Sequence, residues 1–232
     1  MSESSLSSRK KRRAGTAPSS ERAPEPKGES TGKRGAGDKR ERILDAAVRV
    51  FAESGFHATR VADVAKAAGV ADGTIYLYFD SKDELLQSLF EDRVARLLSF
   101  VRENVARHDS AKAKLAAIIE LQLGVYEGEP HLAEVMTVIL RQSTKLLKEH
   151  ARPGFSAYLD AIATIVADGQ KSGEFRGDVS PHFVARSLFG AIDGLALTWA
   201  LGKAERGGLS RAATQVTDLF LRGLSPNASD AP

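Results

Sequence analysis

The chain has 232 residues, 42% of them hydrophobic and 27% charged, enough apolar material for one large or two small folded domains. It contains no cysteine, which excludes disulfides, thiolate metal sites and thiol redox chemistry and suits a reducing cytoplasm. The net charge of +3 is unevenly placed: residues 1–37 hold nine Lys or Arg against four Glu, net +5, whereas the remainder carries 24 basic and 26 acidic residues, net −2.

Residues 1–37 are mostly Ser, Lys, Arg, Gly, Pro and Glu and lack the apolar stretch of a signal peptide, so they read as a disordered basic tail of a protein that is not exported. The run Arg9-Lys10-Lys11-Arg12-Arg13 fits either a solvated leader or an arm that gains affinity for nucleic acid by counterion release. Gly32 to Gly37, GKRGAG, follows no strand and is not read as a phosphate loop.

From Asp38 the pattern turns helical. Ile43, Leu44, Ala47, Val50 and Phe51 recur at three- and four-residue spacing, predicting one buried face on a first helix that stops at Gly55. Thr59 is expected to cap a short second helix through Val61, Val64, Ala65 and Ala68, closed by Gly69. A third short helix is expected from Asp72, and Ser81 with Glu84 forms a capping box that opens a long amphipathic helix to about Arg107. Further helices are predicted over about 111–127, 130–149, 153–172, 181–202 and 210–223, with Ser180-Pro181 and Ser210 as starts and no strand alternation between them. Ser187 to Gly202 is lightly charged but short and contains Asp193, so a buried bundle helix is expected rather than a membrane span.

Two short helices joined by a Gly-containing turn and held by longer flanking helices have the layout of a helix-turn-helix, whose second helix enters the major groove. Tyr76 and Tyr78 are then free to offer hydroxyls to phosphates while Ile75 and Phe79 face inward. Residues 38–82 hold seven basic and seven acidic side chains, so affinity for DNA has to come from placement or from the tail, not from bulk charge.

The segment TRVADVAKAAGVADGTIYLYFDSKDELL, Thr59 to Leu86, preceded by ILDAAVRVFAESGF, Ile43 to Phe56, closely resembles the TetR family of bacterial repressors. The resemblance implies an all-α fold: an N-terminal three-helix helix-turn-helix domain (38–84) joined by a long helix to a helical ligand-binding and dimerisation domain (85–224), with a short disordered tail over 225–232. It implies DNA-backbone contacts from Thr59, Tyr76, Tyr78 and Lys82, and base reading from Asp72, Gly73 and Thr74. Arg60 adds a possible phosphate contact, and Asp72 serves either a cytosine N4 or the helix cap.

The C-terminal region shows no catalytic constellation: His57, His108, His131, His150 and His182 are scattered, and no Ser sits in a nucleophile elbow, so neither an enzyme nor a metal site is expected. Its apolar helices can enclose a pocket, with Tyr126, Met136, Ile139, Phe155, Tyr158, Phe189 and Trp199 as candidate lining, each also compatible with ordinary core. AKAKLAAIIELQ (Ala111 to Gln122), LRQS (Leu140 to Ser143) and FGAIDGLALTWAL (Phe189 to Leu201) resemble the FadR-type members, which repress fatty-acid degradation and release a palindromic operator on binding long-chain acyl-CoA. That resemblance implies an acyl-CoA effector, no further cofactor, and cations at the pocket mouth from Arg141, with Arg102 or Lys145. Arg141 is equally compatible with a structural ion pair. A homodimer is expected through Leu188, Ala191, Ile192, Leu195, Ala196 and Trp199 on one late helix and Val216, Leu219, Phe220 and Gly223 on the last. A different hydrophobic effector, as in regulators of efflux, and a constitutive DNA-binding protein without ligand remain open alternatives.

Overall fold

The computed structural model describes residues 31–142 and 151–226, and every regular element among them is helical. The basic run at residues 9–13, Lys145, His150 and the C-terminal residues from 227 lie outside the described part. Helix α1 spans Thr31–Ser54 and so begins seven residues inside the segment expected to be tail; with no proline between Pro26 and the end of the helix, no ring interrupts it. It buries Ile43, Leu44, Ala47, Val50 and Phe51 and ends where Gly55 takes φ +76°, a left-handed turn that glycine adopts without strain.

Helix α2 (Val61–Ala68) is capped differently from the expectation. Arg60, not Thr59, occupies the cap, and the Asp63 carboxylate accepts from the Arg60 backbone N–H at 3.0 Å. The Thr59 hydroxyl instead donates back to the Gly55 carbonyl at 2.8 Å and is buried. Gly69, at φ +66°, turns the chain into α3 (Asp72–Ile75), and Ser81 accepts from the Glu84 N–H at 3.1 Å to open α4 (Lys82–Val105). Then follow α5 (Ala111–Gly128) and α6 (Pro130–Glu134), which continues through a π turn (Val135–Ile139) and a 3-10 turn (Leu140–Gln142). Helices α7 (Ala151–Lys171), α8 (Pro181–Leu201) and α9 (Gly208–Gly223) complete the fold.

Two carboxylates reach across the bundle to cap helices they do not belong to. Glu174 accepts from the N–H groups of Ala111 (2.9 Å) and Lys112 (3.1 Å) at the start of α5. Glu127 accepts from the Leu209 N–H at 3.2 Å and from the Ser210 hydroxyl, and α9 accordingly starts at Gly208, ahead of the expected Ser210.

There are two cores. The first joins α1, α2, α3 and the N-terminal half of α4 to Leu132, Val135, Ile139 and Leu140 of the α6 stretch; the second joins α5, α7, α8 and α9. The domain boundary expected at 84/85 therefore falls inside a helix shared by both: α4 gives Leu85, Leu86, Leu89, Phe90 and Val94 to the first core and Val101 to the second. Leu98 and Met136 pack against both. Salt bridges from Arg96 to Glu41 (2.8 Å) and from Arg93 to Asp45 fasten α4 to α1.

By length and composition α8 could cross a membrane. Its buried Val184, Ala185, Leu188, Ile192 and Ala196 and its paired Asp193 make it a core helix of the bundle.

Candidate nucleic-acid interface and effector cavity

The reading head is built on α2 and α3. Ile75 and Phe79, one turn apart, are buried and hold the segment to the first core, which leaves Asp72, Gly73, Tyr76 and Leu77 on the outside. Tyr76 is 56% exposed and Tyr78 half-buried beside Phe79. Asp72 is the first residue inside α3 and Ala71 is its cap, so the carboxylate is not the capping group. A Cβ added at Gly73 would meet no atom of the protein within 4 Å. The fold itself thus does not require glycine there, and the open space lies on the outer face.

Most cations of the head bind the head itself. The Lys82 ammonium donates to the carbonyls of Phe56 (2.7 Å), His57 (3.1 Å) and Thr59 (2.8 Å) and sits 4.7 Å from the Phe56 ring centre. An ammonium has three donors, so the phosphate contact expected of Lys82 has none left for it in this arrangement. The buried Thr59 hydroxyl is likewise turned inward. Both residues fix the loop that aims α2. Arg42 donates to the Ala68 carbonyl at 2.8 Å, stitching α1 to the end of α2, a bond no motif in the sequence signalled. Arg60 forks onto Asp63 (3.2 and 3.0 Å) at the surface, an interaction that raises the guanidinium pKa and lowers that of the carboxylate.

Behind the head lies a cavity of about 360 Å³ lined by α4, α5, the α6 stretch, α7 and α8, within the range of small-molecule sites. Of the expected lining residues, Tyr126, Met136, Arg141, Phe155, Tyr158 and Phe189 are brought together on its wall. Two are not. Ile139 points from the π turn into the first core, and Trp199 sits at the far end of α8 with its indole N–H donating to the Glu205 carbonyl at 2.9 Å. Arg102, near the end of α4, is also away from the cavity.

The sequence reading missed one wall: Phe90, Val94 and Leu97, a stripe at helical spacing on α4. Their periodicity was visible, but whether such a stripe meets a helix or a void depends on the neighbour. Gly154 decides it locally, since a side chain there would come within 2.9 Å of Val94, so α7 crosses α4 closely beside the cavity.

The wall carries few polar groups. The Tyr158 hydroxyl donates to Gln122, and Arg141 spans from the Thr137 carbonyl to the Asp193 carboxylate. Burial raises the pKa of both Tyr126 and Tyr158 above the ordinary phenol value, so both are neutral hydrogen-bonding groups. Among the described residues no three acidic or histidine side chains gather as a metal site.

The surface of α8 and α9 divides the residues of the expected dimer face. Leu188, Ile192, Ala196 and Val216 are buried within the protomer. Of the same expected face, Leu219 and Gly223 are exposed and Ala191, Leu195, Trp199 and Phe220 partly so; Phe183 and Leu201 are exposed as well, with Gly190 and Gly194 along their side of α8.

A family model of bacterial regulatory proteins of the tetR family matches residues 43–89, and a model of the C-terminal region of YsiA-like proteins matches residues 90–223. The fatty acid metabolism regulator protein of Bacillus subtilis (strain 168) is 35% identical over 182 residues, 78% of this chain and 93% of that protein. The HTH-type transcriptional repressor KstR2 of Rhodococcus jostii (strain RHA1) is 30% identical over 173 residues, 71% of this chain and 80% of the relative. Among solved structures, FadR from Bacillus subtilis in complex with stearoyl-CoA superposes with a TM-score of 0.74 at 34% identity, covering 79% of this chain and 98% of that one. FadR from Bacillus halodurans does so with a TM-score of 0.75 at 31% identity, again over 79% and 98%.

Proposed function

Because the chain belongs to the TetR family of bacterial transcriptional regulators, we propose that it is a cytoplasmic, homodimeric repressor of fatty-acid-degradation genes that leaves its operator on binding long-chain acyl-CoA. It is a regulator and not an enzyme. The observation that carries the effector reading is the sharing of walls between cavity and head. Phe90 and Val94 of α4 and Leu140 of the α6 stretch line the cavity and belong to the first core, and Met136 touches both cores.

An acyl chain filling the cavity presses on α4 and α6, and these carry α1 to α3. A dimer on DNA must set its two reading helices about 34–36 Å apart, or a multiple of that, to meet successive major grooves. A ligand that prefers another spacing shifts the population by its differential affinity alone: about 100-fold preference is nearly 3 kcal/mol per site. Among the described residues lining the cavity, Arg141, partly exposed, is the cation available to the anionic end of the ligand. The exposed Phe183, Leu201 and Leu219 supply the apolar face for the second protomer.

The test is operator release. A duplex selected by the full-length protein from a random library is titrated with lauroyl-, palmitoyl- and stearoyl-CoA below their micelle thresholds, with free CoA and free stearate as controls. Release by the long-chain thioesters alone supports the reading. An intact complex at saturating acyl-CoA overturns it.

A further inference from the structure

Leu77 lies in the middle of the reading segment and is 81% exposed. A single exposed leucine is ordinary on a protein surface; its position here is not. Helical hydrogen bonding continues past α3, with Leu77 N–H to the Thr74 carbonyl at 3.2 Å, Tyr78 N–H to the Ile75 carbonyl at 2.9 Å and Phe79 N–H to the same carbonyl at 3.0 Å. Residues 73 to 79 therefore keep helical spacing: Ile75 and Phe79 face the core, and Gly73, Tyr76 and Leu77 share the opposite face. Gly73, one turn before Leu77, offers no side chain and has open space around it, so the backbone of this face can come close to a partner, and Leu77 is more exposed than Tyr76 beside it.

The face is otherwise polar, carrying the Asp72 carboxylate, the Thr74 hydroxyl and the Tyr76 phenol. In the major groove the apolar feature of a base edge is the thymine C5-methyl group. Resting on the DNA-binding reading above, we propose that Leu77 is a specificity-determining residue that reads one thymine methyl per half-site by apolar contact. The tyrosine hydroxyl beside it positions the helix on phosphate, and Leu77 supplies sequence information that a phosphate contact cannot.

The experiment removes the methyl group from the DNA rather than the side chain from the protein. Each thymine of the library-selected duplex is replaced singly by deoxyuridine, and affinity is measured at fixed salt for the full-length wild type, Leu77→Ala and Leu77→Asn. The expected result is one position per half-site at which deoxyuridine weakens the wild type by about fourfold, the worth of one buried methyl group, with less than a twofold effect on Leu77→Ala at that position. Leu77→Asn, repeated through the library selection, should no longer select thymine there. A flat deoxyuridine scan, or the same penalty in Leu77→Ala, overturns the assignment while leaving DNA binding intact. Failure of the wild type to select any site overturns the DNA-binding reading and this assignment with it.

Discussion

Arg141 and Asp193 join the α6 stretch to α8 at the cavity wall: one guanidinium nitrogen donates to the Thr137 carbonyl one turn earlier while the other donates to the Asp193 carboxylate. An anionic head group arriving at Arg141 has to share that cation with Asp193. Arg141→Ala is therefore expected to weaken stearoyl-CoA binding by about tenfold, the lower end of what a charge-assisted hydrogen bond contributes, because the side chain is 43% exposed and screened. Asp193→Asn, which frees the guanidinium, should strengthen it by a few-fold. Calorimetric titration of both variants decides: acyl-CoA affinities equal to wild type would make the pair purely structural.

That pair also shows how far the sequence could be read. The helix-turn-helix was legible because spacing alone places Ile75 and Phe79 inward and Gly55 and Gly69 at turns. The cavity was half legible: aromatic residues on α5, α7 and α8 could be named, but nothing local distinguishes Ile139, which enters the first core, from Met136 three residues earlier, which reaches the cavity. The intervening π turn changes the angle between them, and no periodicity rule anticipates it. The surroundings of Lys82 were illegible for a related reason, since a lysine that opens a helix gives no sign that three carbonyls from 23 to 26 residues away surround it.

Lys82→Met is accordingly expected to destabilise the reading head by about 2 kcal/mol, because it removes charge-assisted bonds to three loop carbonyls. Thermal unfolding with the ligand absent measures this. The contrary outcome, unchanged stability together with a salt slope of DNA binding reduced by about one, would return Lys82 to the role of a phosphate ligand.

Gly190 and Gly194 lie along the exposed side of α8 between Phe183 and Leu201, and an added Cβ at either would meet nothing within the protomer. If the second protomer packs here, Gly194→Trp blocks the close crossing without disturbing the fold of the monomer. Sedimentation should show a monomer with unchanged helicity and lost operator binding. A Gly194→Trp dimer as tight as wild type would place the interface elsewhere.

The two cross-capping carboxylates predict the acid limb of stability. Hydrogen bonds from the Ala111 and Lys112 N–H groups hold the Glu174 pKa below its ordinary value, and the Ser210 hydroxyl with the α9 N–H groups does the same for Glu127. A carboxyl depressed in the folded state contributes stability that is present above its unfolded pKa, about 4.3, and is lost as pH falls through the folded one. Glu174→Gln should therefore cost about 0.5–1 kcal/mol at neutral pH, discounted for exposure, and flatten the loss of stability below about pH 4.5. Denaturation curves at pH 7 and pH 4 test it, and an unchanged acid limb would refute the assignment.

Tyr76 and Tyr78 share a residue type and a strand of sequence but not an environment. Tyr76 is 56% exposed on the outer face with Gly73 and Leu77, whereas Tyr78 is half-buried against the first core beside Phe79, whose ring stacks under the Arg40 guanidinium at 5.5 Å. Removing the Tyr76 hydroxyl alone leaves the ring and its packing unchanged, so Tyr76→Phe should retain wild-type stability. One neutral hydrogen bond to a phosphate is worth about 0.5–1.5 kcal/mol, and operator affinity should fall by about two- to tenfold. Because a phosphate contact carries no sequence information, the loss should be the same on the selected operator and on unrelated duplex. A salt-controlled titration that finds affinity unchanged, or a loss confined to the operator, would remove Tyr76 from the phosphate contacts and leave it to the base edges.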